Sequence, residues 1–273
     1  MEEAKDFALV TGASSGIWLA ISRELARYGY PLLLVSNEEK KLSQVSAEIA
    51  KEFAVQTIAL YMDLSGRDSA YRLFDYCNAN NIKITILVNN AGMFFFRDII
   101  DTDSDKIETV INLHALCPTL LCRLFGQQMI LEKRRGYILN MASIAAQMMM
   151  PGIAMYNATK SYLRCFSRAM RHEVFDKGLS ITTVCPGAAA TGLYKLPQRY
   201  MKLGIRLGII MEPEKLARKA VKKMFKRKPE YIPAVILNTF FIFLINILGE
   251  NLIRRIKKRI DKAIQGKNQD AVT

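Results

Sequence analysis

The sequence predicts an α/β fold: one doubly wound parallel-sheet domain followed by a basic, apolar C-terminal helical extension. Three observations predict it. Short apolar runs recur through the first two thirds of the chain, and stretches of helical pattern separate them. The runs are apolar throughout rather than alternating, as strands are when both faces of a sheet are covered. Strands joined through helices make crossovers, which wind right-handed and set helices on both sides of the sheet.

The elements follow in order. "FALV" (7–10) is the first strand, with a helix over about 15–29. "PLLLV" (31–35) precedes a charged amphipathic helix at 39–53, and "QTIALY" (56–61) leads to a helix near 67–81. "ITILVNN" (84–90) precedes a longer helical region at roughly 103–131. "GYILNMAS" (136–143) is followed by a helix near 155–176, and "LSITTVCPG" (179–187) closes the series. A basic helix over about 213–228 then has Pro213 suited to its first turn.

Beyond it the pattern changes. The apolar run from Ala234 to Leu248 contains Asn238, Thr239 and Asn246, and falls short of the roughly 18–20 continuous apolar residues of a spanning helix. Leu252, Ile256, Ile260 and Ile264 then stand at four-residue steps with Arg254, Arg255, Lys257, Lys258 and Arg259 among them. That is a basic amphipathic helix, and beside an apolar one it fits peripheral contact with an anionic membrane through 234–264. Packing over the domain or a neighbouring subunit is the plainer alternative. The expected division is a domain over 1–230, with a substrate loop at about 188–212, and an extension over 231–273.

Bulk composition agrees. The 273 residues are 51% hydrophobic and 23% charged, which suits one globular domain and neither a disordered chain nor a polytopic membrane protein. The acidic start "MEEAKDFALV" lacks the basic and apolar regions of a secretory signal. Cys77, Cys117, Cys122, Cys165 and Cys185 are scattered without CxxC spacing, and His114 and His172 are far apart. Reduced thiols, a cytoplasmic location and no metal site are the expectation. Residues 1–194 hold 20 Lys/Arg and 19 Asp/Glu, whereas 195–273 hold 19 and 6. The net charge of +14 is therefore almost wholly C-terminal. Nucleic-acid binding has only that charge in its favour, so no nucleic-acid partner is expected.

Several motifs stand in a fixed order: TGxxxG at Thr11–Gly16, Asp63-Leu64, NNAG at Asn89–Gly92, Asn112, Ser143, YxxxK at Tyr156 and Lys160, and Pro186-Gly187 followed by Thr191. Tyr156 and Lys160, four apart, share one face of a helix. A tyrosine titrates near ~10 and is a poor base at neutral pH; an ammonium held beside it favours the phenolate. A phenol so tuned can exchange a proton with an alcohol or carbonyl oxygen. A half-buried helix tyrosine and a solvated lysine are the alternatives for the pair.

The ordered set resembles the short-chain dehydrogenase/reductase family, close to its hydroxysteroid dehydrogenase and ketoacyl-type reductase members. The resemblance covers most of the chain and implies a Rossmann-type sheet and an NAD(P)-dependent enzyme acting on CH–OH/C=O. By that resemblance Tyr156 is the acid/base and a cofactor contact, Lys160 its activator and a ligand of the nicotinamide ribose, Ser143 the donor that orients the substrate oxygen, and Asn112 the support of a water-linked proton path. It also implies that Gly12, Ser14, Ser15, Gly16 and Ile17 face the cofactor phosphates at a helix start. Ser36 and Asn37 would meet the ribose, Asp63 and Leu64 the adenine, and Asn90, Ala91 and Gly92 would let the backbone approach. Pro186, Gly187 and Thr191 would hold the carboxamide end. A helix N-cap is the alternative for Asp63, and a plain turn for Asn90–Gly92. His114 and His172 are expected to be packed or surface residues.

Two departures stand out. Trp18, the only tryptophan, takes the place of the loop's third glycine, where close packing is usual; it is expected to be tolerated with altered affinity. At the end of the second strand, Ser36 falls at the position that is acidic in NAD-preferring members and Asn37 at the arginine of NADP-preferring ones. No phosphate-repelling group is expected there, and Lys40 or Lys41 is near. NADP(H) is favoured, with NAD(H) as the alternative, since the bidentate arginine is missing.

Met148, Met149 and Met150 lie between Ser143 and Tyr156 and offer flexible, polarisable surface. The substrate pocket is expected to comprise Ser143, Met149, Met150 and Tyr156, with "MFFF" (93–96) adding apolar bulk; core or oligomer packing is the alternative. The resulting expectation is interconversion of a ketone and a secondary alcohol on a hydrophobic, sterol- or lipid-like molecule, by a homodimer or homotetramer. The competing readings are a non-catalytic nucleotide-sensing or scaffold protein disabled by Trp18, and a membrane-binding adaptor.

Overall fold

The computed structural model describes residues 5–13, 16–187, 211–233, 253–255, 257 and 258. Seven parallel strands form one sheet in the order β3-β2-β1-β4-β5-β6-β7. They are β1 (Phe7–Thr11), β2 (Leu32–Ser36), β3 (Thr57–Tyr61), β4 (Ile84–Asn89), β5 (Gly136–Met141), β6 (Leu179–Val184) and β7 (Glu230–Tyr231). Reversal of strand order between β1 and β4 leaves a crevice at their C-terminal ends, the place where open sheets of this kind take ligands.

Strand runs are apolar throughout because both faces are covered. In β1, Ala8 and Val10 join one core and Leu9 the other; in β2, Leu32 and Leu34 oppose Leu33 and Val35. The first core is closed by α1 (Gly16–Arg27), α2 (Glu39–Phe53) and α7 (Pro213–Phe225), the last contributing Leu216, Ala220, Val221 and Met224. The second is closed by α3 (Ser69–Ala79) and α5 (Cys117–Leu131), with Leu73, Leu121, Phe125 and Met129 buried. α6 (Ala154–Val174) packs beside β6.

Two features depart from the sequence expectation. The helical region near 103–131 is two α-helices, α4 (Ser104–Ile111) and α5, joined by a π turn at Asn112–Leu116 in which the Cys117 N–H bonds back to the Asn112 carbonyl. Its uninterrupted apolar pattern hid the extra residue. By length and composition this is the one helix among the described residues that reaches a membrane span's hydropathy, yet α5 turns Leu121 and Phe125 into the core. The second feature is β7. Thr183 pairs with Glu230 and Val184 with Tyr231, so the sheet goes on past "LSITTVCPG" and the boundary expected at 230 falls inside a strand. Two residues are too few to carry a strand pattern.

Candidate active site

The β1–α1 loop, the β2 end and the turns after β3 and β4 enclose a cavity of about 380 Å³, lined among others by Gly12, Ser36, Asn37, Asp63, Leu64 and Ala91. Gly92 and Met93 close one side. Gly12 sits at φ +73°, and a Cβ there would lie 3.0 Å from Ala91 Cα. Only glycine allows that approach of two backbones. Thr11 clamps the same corner: its Oγ1 accepts from the backbone N–H of Asn90 at 2.9 Å and of Ala91 at 3.0 Å and donates to Val88 O at 3.2 Å. The Asn90 side chain donates to Thr11 O at 3.2 Å. Gly16 and Ile17 begin α1, Ile17 buried in the core. Ser14, Ser15 and Thr191 lie outside the described residues, as do most of the loop at 188–212 and of the segment at 234–264.

Asp63 does not cap α3, whose N-cap is Asp68. It tightens its own turn instead, Oδ1 accepting from Ser65 N at 2.9 Å, and remains exposed on the cavity. Ser36 Oγ accepts from Glu38 N at 3.2 Å. Glu38 also lines the cavity, which corrects the expectation that no phosphate-repelling group is near; Lys41 pairs with it at 3.2 Å. Its place at the mouth of α2 reads in sequence as an ordinary helix start.

Tyr156 and Lys160 lie one turn apart on α6. Lys160 is 5% exposed; its Nζ donates to Met141 O at 2.9 Å and sits 5.7 Å from the centre of the Tyr156 ring. Burial lowers its pKa from 10.5 to about 8, because a desolvated ammonium loses its hydration. Ser143 follows Met141 by two residues at the end of β5, so one strand end sets both partners. Its Oγ accepts from Ala145 N at 3.1 Å, which leaves the hydroxyl proton to donate elsewhere. Ile144 N donates to Pro186 O at 3.0 Å, bringing the Pro186-Gly187 segment alongside. Asn112 opens the π turn, half-buried; the Lys160 ammonium is held by Met141, not by Asn112.

His114 is a packed residue, with a positioning role the sequence did not disclose. Its Nε2 accepts from Met93 N at 2.9 Å and its Nδ1 faces Thr159 Oγ1 at 3.0 Å, while Thr159 donates to Met155 O. That chain requires a neutral ring with the proton on Nδ1. Burial, and then Lys160, hold its pKa well below the ordinary range. The imidazole thus ties the strand-end turn of β4 to the π turn and to α6. Phe94 meets the Tyr156 ring edge-on at 5.1 Å. His172 is exposed on α6.

Met149 and Met150 do not share a cavity with Tyr156 among the described residues. With Met148, Ala158, Ile253 and Arg254 they line an open groove of about 690 Å³, and Met149 is 72% exposed. Tyr156 instead borders a small cavity with Met93, Phe95, His114 and Gly152. The five cysteines are free thiols, and no group of His, Cys, Asp and Glu among the described residues has a metal-holding arrangement.

The family model for short chain dehydrogenases matches residues 6–202. The chain belongs to that family. It is 33% identical over 198 residues to the very-long-chain 3-oxoacyl-CoA reductase of Bos taurus, covering 70% of this chain and 62% of the bovine protein. It is 32% identical over 187 residues to hydroxysteroid dehydrogenase-like protein 1 of Gallus gallus, covering 68% and 56%. The chain therefore spans less than two thirds of either relative's length. Among solved structures, a 7β-hydroxysteroid dehydrogenase superposes with TM-score 0.82 at 21% identity, covering 93% of this chain and 97% of that one. A short-chain dehydrogenase of Sphingobium yanoikuyae in complex with NADPH superposes with TM-score 0.75 at 24% identity, covering 90% and 97%.

Proposed function

We propose that this short-chain dehydrogenase is an NAD(P)-dependent oxidoreductase interconverting a ketone and a secondary alcohol on a hydrophobic, sterol- or lipid-like substrate. The observation that carries the proposal is the buried Lys160 ammonium, anchored on Met141 O beside the Tyr156 ring and next to Ser143 on the same strand end. A buried cation has no packing value of its own and is expensive to keep. Beside a phenol it stabilises the phenolate.

The cavity suits a nicotinamide dinucleotide. Gly12 and Ala91–Gly92 give the backbone approach that a diphosphate needs, Ser36 and Asn37 offer hydrogen-bonding groups to the ribose, and Asp63-Leu64 to the adenine. Pro186 and Gly187 would hold the nicotinamide end. When bound, the nicotinamide supplies or accepts the hydride. In the reducing direction Tyr156 gives its phenolic proton to the carbonyl oxygen. The Ser143 hydroxyl, its oxygen already oriented by Ala145 N–H, donates to the same atom and fixes its place. Lys160 then holds the phenolate by its charge, and Asn112 supports the water path that returns the proton.

For the cofactor, NADP(H) is proposed over NAD(H). Uncharged Ser36 and Asn37, a Glu38 already balanced by Lys41, and the NADPH held by the Sphingobium yanoikuyae neighbour support it. Phe94 against Tyr156 and the relatives named for 3-oxoacyl and hydroxysteroid chemistry support the substrate class. A cytoplasmic homodimer or homotetramer touching a membrane through 234–264 completes the proposal, supported by the exposed Arg254, Arg255 and Lys258.

The test is Tyr156→Phe against the wild type, with NADPH and a panel of 3-oxoacyl thioesters and ketosteroids. Turnover should fall by roughly 10²–10⁴-fold, with cofactor affinity unchanged. A wild type that binds cofactor but turns over nothing, or a variant as fast as the wild type, refutes the catalytic reading.

A further inference from the structure

Trp18 stands where the loop's third glycine is usual, two residues into α1, and the structure gives its indole a place. Half-buried, it packs against the core that α1, α2 and α7 close. It also lines the cofactor cavity in company with Ser36, Asn37, Met62 and Asp63. The residues that need no side chain for a diphosphate to approach, Gly12 and Gly92, are still glycine and lie on the same cavity. Trp18 therefore shares a cavity wall with Ser36, Asn37 and Asp63, the residues assigned to the ribose and adenine, while the backbone cradle keeps its glycines.

We propose that Trp18 is a cofactor-contacting residue: its indole forms a wall of the adenosine end of the cavity and binds the adenosine through its face. The inference rests on the cofactor reading under Proposed function. An indole held by core packing on one side is already ordered, so it offers an aromatic surface at little cost in side-chain entropy. Purine rings stack on aromatic side chains with energies that change affinity severalfold to a hundredfold. A glycine at this position contributes room and no contact. Here the contact is recovered from a side chain, in a site whose Asn37 lacks the bidentate fork an arginine would supply. Trp18 acts through the adenine ring, which both forms share although their adenosine riboses differ by the 2′-phosphate, so it strengthens both.

The test is direct. Wild type, Trp18→Phe, Trp18→Leu and Trp18→Gly are titrated with NADPH and with NADH by calorimetry, and steady-state rates are measured in parallel. Trp18→Gly should raise the Kd of both cofactors about tenfold and raise the cofactor KM likewise, with kcat unchanged. Trp18→Phe, which keeps an aromatic face, should stay within about threefold. Trp18→Leu fills the core side without that face; it should resemble the glycine variant and decides the matter if the latter does not fold. In the wild type alone, NADPH should quench the tryptophan and gain sensitised emission. Glycine and leucine variants that bind as tightly as the wild type, or more tightly, overturn the role of Trp18 while leaving the cofactor reading intact. A wild type that binds neither cofactor overturns both.

Discussion

Replacing Lys160 with methionine keeps most of the side-chain volume and removes the buried charge. The structure sets the magnitude. A fall from 10.5 to about 8 is worth about 3 kcal/mol between the two protonation states. Below pH 8 the folded and unfolded chains both carry the proton, and the folded one bears the cost of burying it. Between pH 8 and 10.5 the unfolded chain holds a proton that the folded chain has released, so the wild type gains stability as pH rises through that window. Above it the gain is complete. Urea unfolding of the cofactor-free proteins at pH 7, 8, 9 and 10 reads the difference directly. Wild-type stability should rise relative to Lys160→Met by about 2–3 kcal/mol over that range. At pH 7 the variant should be at least as stable, although Met141 O loses its donor at a cost of about 1–3 kcal/mol, and it should have lost turnover. A difference that does not change with pH would refute the claim that the ammonium is desolvated, and with it the reason for Tyr156 to be tuned by this lysine.

Other outcomes follow from the same geometry. His114→Asn should blunt acid denaturation: the folded ring stays neutral while the unfolded one takes a proton below about pH 6.5. Wild-type thermal stability therefore falls with acid by up to about 1.4 kcal/mol per pH unit more than that of the variant, read by melting at pH 7, 6 and 5. Gly152 is at φ +82°, and a Cβ there would sit 2.3 Å from the Phe96 ring. Gly152→Ala should cost about 1–3 kcal/mol, displace Phe96 and raise the substrate KM more than it lowers kcat, measured by steady-state kinetics and a melting curve.

How much of this was legible before the structure can be argued residue by residue. β1, β2 and β4 were plain because Leu9, Leu33 and Leu87 must be as apolar as their neighbours in a sheet covered on both sides. That Tyr156 and Lys160 share a helix face was legible from their spacing of about one turn; singling the pair out rested on the ordered set of motifs around it. What anchors Lys160 was not: the partner is the carbonyl of Met141, a group every residue carries. Glu38 was hidden because it reads as a helix start and becomes part of the cavity only when β2 and α2 are joined. β7 exists through pairing with Thr183 and Val184, a non-local contact that leaves no local pattern. Trp18 was conspicuous as a residue, yet whether the indole turned inward or toward the cavity depended on packing between α1 and the sheet.

The π turn at Asn112–Leu116 has a bearing on how this chain tolerates change in length. A surface loop absorbs a lost residue by shortening; a helix that already holds one too many absorbs it by becoming regular. Removing a single position there would let α4 and α5 merge into one regular helix, with better-aligned hydrogen bonds and a new register. Asn112 and His114 would then turn to other faces, and the Met93 N–H would lose its acceptor. The turn is a point at which deletion repairs the backbone and costs the Met93 N–H its acceptor, so its irregular geometry is kept at the expense of helical regularity.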